Sequence, residues 1–198
     1  MAKSNRNGQA AILSDRDYAA IRNQLVSESH KLFFDIARWT GERWGAIASL
    51  RIGDCYFNHY DGTPRDTIVF RASTRKASPD GTRKTRECPI HPTLLDTLKR
   101  YRPDGNREDW LFPSKDNAGN HITFWGCDKW FRCAVDKAGL SSKGISTHST
   151  RRTLITRLAR KGIDVKTLAA ITGHRDVKSL MRYVEVDAQT VNRAIATL

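Results

Sequence analysis

A single break in period limits what this chain can fold into. Ahead of it, apolar residues recur at helical spacing: Tyr18, Ile21 and Leu25 form one stripe, and Leu32, Phe33, Ile36 and Trp39 a second. Then Thr67-Ile68-Val69-Phe70 reads as a strand and Glu87-Cys88-Pro89-Ile90 as its return. Between them, Arg71 to Arg86 is rich in Arg, Lys, Ser and Thr and carries the turn signal Ser78-Pro79-Asp80-Gly81. From His91 onward the helical spacing returns. The pattern predicts an α+β fold, mainly α-helical, with one small antiparallel β-sheet or hairpin inserted and positive charge at its tip.

Local signals set the expected boundaries. Ser14 followed by Asp17 predicts a helix start, and Gly41 suits the turn that stops a second helix at 31–39. Ala46, Ile47 and Leu50 predict a short helical turn ending near Gly53-Asp54. Later helices are expected at 92–101, 123–138, 150–161, 165–172 and 178–185, with loops at 102–106 and 141–144. Residues 1–10 read as a polar tail without the apolar run of a signal peptide, which leaves 11–198 as one domain. No apolar stretch approaches membrane-spanning length.

Charge narrows the partner. Thirty-four Lys and Arg against 21 Asp and Glu give +13, an excess that favours a polyanion, above all nucleic acid. Ribosomal and many highly soluble proteins share such basicity, so charge selects a function only together with chemistry. The four cysteines form no C-x-x-C pair. His121, Cys127 and Cys133 are the one trio that zinc would need to draw together, and reduced structural cysteines of a cytosolic protein are the better reading.

The chemistry lies near the C-terminus. Tyr183 stands nine positions after His174, and His148 and Arg151 lie upstream in Thr147-His148-Ser149-Thr150-Arg151-Arg152-Thr153. A phenol ionises near pH ~10, so it attacks phosphorus only when nearby positive charge or a base removes its proton. His174, Arg175, Lys178 and Arg182 provide such neighbours in sequence. A lone tyrosine on a helix would more simply pack, with its hydroxyl bonded to backbone. Arg151 and Arg43 are candidates to clamp a phosphate, because a guanidinium matches two phosphate oxygens at once. His148 and Arg151 precede the apolar pattern Leu154, Ile155 and Leu158, which puts them at a helix start, where an anion is favoured. His148 and His174 can exchange protons near neutral pH.

Taken with Thr40-Gly41-Glu42-Arg43, the run from Gly173-His174 to Arg182-Tyr183 and the His-x-x-Arg at His148 resemble the active site of tyrosine recombinases, the integrase family that cuts and rejoins DNA. The resemblance covers about residues 12–190 and implies the catalytic fold of that family. It implies Tyr183 as nucleophile, forming a 3′-phosphotyrosyl bond, and Arg43 and Arg151 as phosphate clamps. His148 would take the tyrosine proton, and His174 would donate a hydrogen bond to the scissile phosphate. The lysine that protonates the leaving 5′-oxygen falls on the hairpin, as Lys76 or, on the return side, Lys84. Arg75, Lys84, Arg86, Arg152 and Arg175 are the further expected DNA contacts. The covalent bond conserves the phosphodiester's energy, so the expectation is no metal, no ATP and no other cofactor.

Three departures from the family pattern follow. The acidic residue usual three after the first arginine is Ala46, so another carboxylate must orient Arg43, or it is held less firmly. Arg152 stands where many relatives carry histidine. The family's separate N-terminal DNA-clamping domain is not expected within this sequence. Double-stranded DNA is the expected partner, with self-association into a tetrameric synapse and a cytoplasmic, nucleoid-associated location. Two other readings stay open: a type IB topoisomerase, which rejoins the same strand, and a non-catalytic DNA-binding module.

Overall fold

Ser14 starts the first helix as the sequence predicts. In the computed structural model, which describes residues 9–75, 77, 81–173, 180–181, 183 and 195–196, helix α1 spans Asp15–Gln24. Ser14 Oγ accepts from the Asp17 amide at 3.0 Å while the Asp17 carboxylate accepts from the Ser14 amide at 3.1 Å. This reciprocal pair satisfies two of the amides that a helix start leaves bare. Lys143 Nζ reaches the same carboxylate at 2.6 Å. Burial alone would raise the Asp17 pKa, but the hydrogen bonds from Lys143 and Ser14 outweigh it and hold the carboxyl below its ordinary value. A lowered folded-state pKa contributes stability that is complete above the ordinary carboxylate range and lost as pH falls through the folded value. Asp17→Asn is therefore expected to flatten part of the acid limb below about pH 4, as read from thermal melts in a pH series.

Helix α2, Glu28–Thr40, begins three residues earlier than the apolar stripe suggests, since Ser27 takes the extended conformation of an N-cap. Its residues 32–38 are all buried. Gly41 ends it at φ +59°, and a Cβ built there would lie 2.6 Å from Leu154 Cδ2. Gly41→Ala meets both the left-handed backbone penalty and that contact. It is expected to cost about 1–2 kcal/mol and to lower the melting temperature by roughly 2–8 °C.

The short turn expected near residue 46 is two helical pieces, α3 (Trp44–Ala48) and α4 (Ile52–Cys55), separated at Ser49 to Arg51. A small antiparallel pair then follows that the sequence did not announce: β1 (Tyr56–Asn58) with β2 (Thr63–Pro64). Three and two residues are too few to show a period of two, and the only signal was Asp61-Gly62, with Gly62 at φ +77°. The predicted hairpin is β3 (Thr67–Phe70) paired antiparallel with β4 (Arg86–Pro89), in the register Thr67↔Pro89 to Phe70↔Arg86. Ile68 and Phe70 point into the core, as their alternation requires. Among the described residues there are thus two separate two-stranded sheets in place of one.

Helix α5, Pro92–Arg100, has proline in its first turn, where no amide is missed, and the His91 ring accepts from the Thr93 amide at 3.2 Å. Helix α6, Phe124–Lys137, is capped by the Thr123 hydroxyl, which accepts from the Gly126 amide at 3.1 Å. Helix α7 spans Ser149–Arg160 and α8 Val165–Thr172. The predicted helix at 178–185 lies largely outside the described residues. Within it Leu180 and Met181 are helical, and Tyr183 is in a turn.

The chain divides into two compact units, 1–154 and 155–198, with the boundary inside α7. The core of the first is aromatic. The Phe33 ring lies 5.0 Å from both Trp44 and Phe112, and Trp44 lies 4.8 Å from Phe131. The second is small: Ile155, Leu168 and Leu180 are buried, with Leu158, Ile163, Val165 and Tyr183 among the residues packed on them. Trp44 is buried, Trp39 and Trp130 pack half-buried against the core of the first unit, and Trp125 is 77% exposed. It sits in the first turn of α6, where its outward face has no neighbouring layer. Among the described residues no helix is long and apolar enough to cross a membrane.

Candidate active site

The Thr40-Gly41-Glu42-Arg43 turn sends two adjacent charged side chains in opposite directions. Gly41 reverses the chain after α2, so Glu42 turns inward, 1% exposed, while Arg43 faces out at the N-cap position of α3. Glu42 Oε1 accepts the Arg43 backbone amide at 2.8 Å. Arg86 Nη1 donates to Glu42 Oε2 at 2.8 Å, and its Nη2 to the Thr40 carbonyl at 3.0 Å. Arg75 Nε forms an ion pair with Glu42 Oε2 at 3.4 Å. Arg151, in the first turn of α7, donates through Nη1 to the Gly41 carbonyl at 2.8 Å and stands 4.0 Å from Glu42 Oε1.

Within the first unit these groups back onto a cleft of about 290 Å³, lined by Arg43, Ala46, Thr74, Phe124, His148 and Arg151 among others. Burial alone would raise the Glu42 pKa, but Arg86, the Arg43 amide, Arg75 and Arg151 together hold it below its ordinary value. It is therefore an anion at neutral pH. Three guanidinium groups face one carboxylate, so the cluster keeps two unbalanced positive charges, and Arg43 adds a third at the mouth. Burial pushes the Arg75 guanidinium below its ordinary value; Glu42 opposes this, and Arg86 and Arg43 reinforce it. Such an arrangement is matched to a phosphate, whose oxygens accept charge-assisted hydrogen bonds.

Of the sequence-predicted residues, Arg43, His148 and Arg151 thus share one cleft. His148 is exposed, immediately before α7. Lys84 is exposed on the β3–β4 arm, and its carbonyl accepts from Arg75 Nη1 at 2.9 Å. Lys76, His174 and Arg175 lie outside the described residues. Tyr183 belongs to the second unit, half-buried against its small core, with its amide donating to the Leu180 carbonyl at 2.9 Å.

Two expected DNA contacts have other surroundings. Arg86 is 6% exposed, and its guanidinium is committed to Glu42 and Thr40. Its place at the start of β4 turns it inward opposite Phe70, where it props Glu42 and the Thr40 carbonyl. Arg152 is half-buried and donates to the Ala10 carbonyl. Nearby, the Ala11 amide donates to the Gly144 carbonyl at 3.1 Å and the Leu13 amide to Thr153 Oγ1 at 2.8 Å. The arginine that replaces a family histidine therefore helps fasten the N-terminal segment, which the polar-tail reading had left out of the fold up to residue 10.

Glu42 is the residue that sequence reasoning passed over. It stood inside the quoted motif, and Ala46 had already left the site short of a carboxylate. The signal was a single acidic residue beside a helix-stopping glycine. Phe124 and Thr74 line the cleft with no sequence signal at all.

The fold is shared with DNA-rearranging enzymes. The catalytic domain of bacteriophage HP1 integrase superposes with a TM-score of 0.64 at 22% identity, covering 95% of each chain. The Tn1549 transposon integrase in complex with transposon right end DNA gives 0.74 at 17% identity, covering 97% of this chain and 67% of that one. In sequence, the putative integrase/recombinase y4qK of Sinorhizobium fredii is 31% identical over 150 residues, 76% of this chain and 46% of the relative. The model of the phage integrase family matches residues 14–190, and the chain belongs to that family. It spans about half the length of the curated relatives it matches.

Proposed function

We propose that residues 11–198 form the catalytic domain of a site-specific DNA recombinase, working through a 3′-phosphotyrosyl intermediate. The observation that carries this is the cleft in which Arg43, His148 and Arg151 meet with positive charge in excess of the one carboxylate behind them. A phosphodiester brings one negative charge, and attack on phosphorus raises it, so the excess is complementary to the transition state more than to the ground state.

In this reading the Tyr183 phenol, losing its proton to His148, attacks the scissile phosphorus. The P–O bond to the 5′-carbon side breaks, and a lysine of the β3–β4 arm, Lys76 or Lys84, protonates the leaving oxygen. Arg43 and Arg151 hold the non-bridging oxygens, with His174 as a further donor. A 5′-hydroxyl of another strand reverses the step, restoring the phosphodiester and the free phenol. Positioning and charge stabilisation carry the catalysis, without ATP or metal. Exchange between two duplexes cuts four strands, so four protomers are expected to assemble on DNA.

The test uses supercoiled plasmid in EDTA, quenched with SDS. Protein bound covalently to DNA, with the nucleotide adduct mapped to the peptide containing Tyr183, is the expected result. Plasmid bound tightly without any adduct, repeated on a nicked substrate that traps cleavage, would reduce the domain to a DNA-binding module. Relaxation without exchange between two site-bearing plasmids would favour the topoisomerase reading.

A further inference from the structure

We propose that Glu42 is a positioning residue that couples the β3–β4 arm to the phosphate clamp, so that one buried carboxylate sets both. This rests on the recombinase reading of the cleft. The four partners of Glu42 come from separate parts of the chain. Arg86 opens β4, Arg75 lies just before the arm's tip, Arg151 starts α7, and the Arg43 amide closes the turn after α2.

Arg75 makes the coupling direct. Its Nε faces Glu42 while its Nη1 donates to the Lys84 carbonyl, so one guanidinium ties together the two sides of the arm, nine residues apart, and tethers both to the carboxylate. Both candidate lysines adjoin this strap along the chain, since Lys76 follows Arg75 in sequence and Lys84 carries the accepting carbonyl. On the other side, Arg151 is fixed by the Gly41 carbonyl and by the charge of Glu42. The Arg75, Arg86 and Arg151 side chains are 11%, 6% and 7% exposed. Three such cations stay together only while an anion sits among them, because a buried charge without a partner is costly. Neutralising Glu42 leaves mutual repulsion, which the two more peripheral groups, Arg75 and Arg151, relieve by turning away. The arm and the clamp then lose their registration in the same event.

The experiment compares Glu42→Gln, Glu42→Gln with Arg86→Met, and the parent, in the intact protein. It measures adduct formation at saturating DNA, DNA affinity, thermal stability and hydrogen exchange in the arm. Glu42→Gln is expected to slow cleavage by ~100-fold, the effect of a small misplacement of reacting groups. DNA affinity is expected to hold or to tighten, because the net charge rises by one. Arg86→Met removes the cation most dependent on Glu42, so the double variant is expected to regain stability without regaining rate. Parent-like cleavage by Glu42→Gln would overturn the proposal. Recovery of both stability and rate by the double variant would also overturn it, since Glu42 would then be only the counter-ion of Arg86. If the parent itself forms no adduct, the recombinase reading fails separately and hydrogen exchange decides the coupling. Faster exchange at residues 71–75 and 81–86 in Glu42→Gln supports it, and unchanged exchange overturns it.

Discussion

Tyr183→Phe is expected to abolish the covalent protein–DNA adduct while leaving DNA binding nearly unchanged. The phenol oxygen is the atom that bonds to phosphorus in the proposed mechanism, and a phenyl ring has none to offer. Loss of a nucleophile in a concerted site typically lowers the rate by ~10⁴-fold or more, which puts the variant below detection on an SDS gel. The substitution keeps the ring that packs on the Ile155, Leu168 and Leu180 core, so the second unit should still fold. Binding should persist because most protein–DNA affinity comes from cation–phosphate contacts, and the charge of +13 is untouched. The measurements are adduct yield on a nicked substrate and fluorescence anisotropy with labelled duplex. An adduct at parent yield would remove Tyr183 from its role and direct the search to another nucleophile. Lost adduct together with lost binding would point to a folding defect, which a melting curve would reveal.

How much of this was legible in the sequence depends on range. Helix ends with local chemistry were readable: Ser14 with Asp17 as a reciprocal cap, Gly41 as a stop, and proline at the start of α5. The β3–β4 pair was readable because four-residue strands show the period of two, whereas β1 and β2 were too short to show it. Arg43, His148 and Arg151 were singled out through motif spacing, and they line one cleft. The environment of each charge was not readable. Arg86 and Lys84 are two residues apart in sequence and both read as basic arm residues, yet one is buried on Glu42 and the other exposed. Alternation does not separate them, because residues i and i+2 would share a face; the difference is that β4 begins only at Arg86, where pairing with Phe70 and the buried Glu42 draw the side chain inward, a long-range fact. Glu42 was missed for the same reason, because its meaning depends on three arginines that reach it from 33, 44 and 109 residues away in sequence.

Arg151→Lys is expected to lower cleavage by 10²- to 10³-fold or so, the usual cost of losing one preorganised donor to a developing charge. The arginine does two jobs with one planar group in this reading: Nη1 donates to the Gly41 carbonyl, and the side chain lines the cleft that Arg43 also lines. A lysine ammonium is a single point on a flexible stem and cannot serve the carbonyl and a phosphate together. If it keeps the carbonyl, the transition state loses its donor. If it turns to the phosphate, a carbonyl beside the buried Glu42 is left without a partner, which costs about 1–3 kcal/mol. Either way the charge is retained, so a simple electrostatic requirement would predict little change. Arg43→Lys is the internal comparison. Arg43 is exposed and its side chain does not cap α3, so that variant should lose cleavage without losing stability. Cleavage rates of the two variants beside their melting temperatures separate the roles. Parent-like cleavage by Arg151→Lys would mean that the cleft needs charge there and no fork, and the bidentate clamp would have to be abandoned.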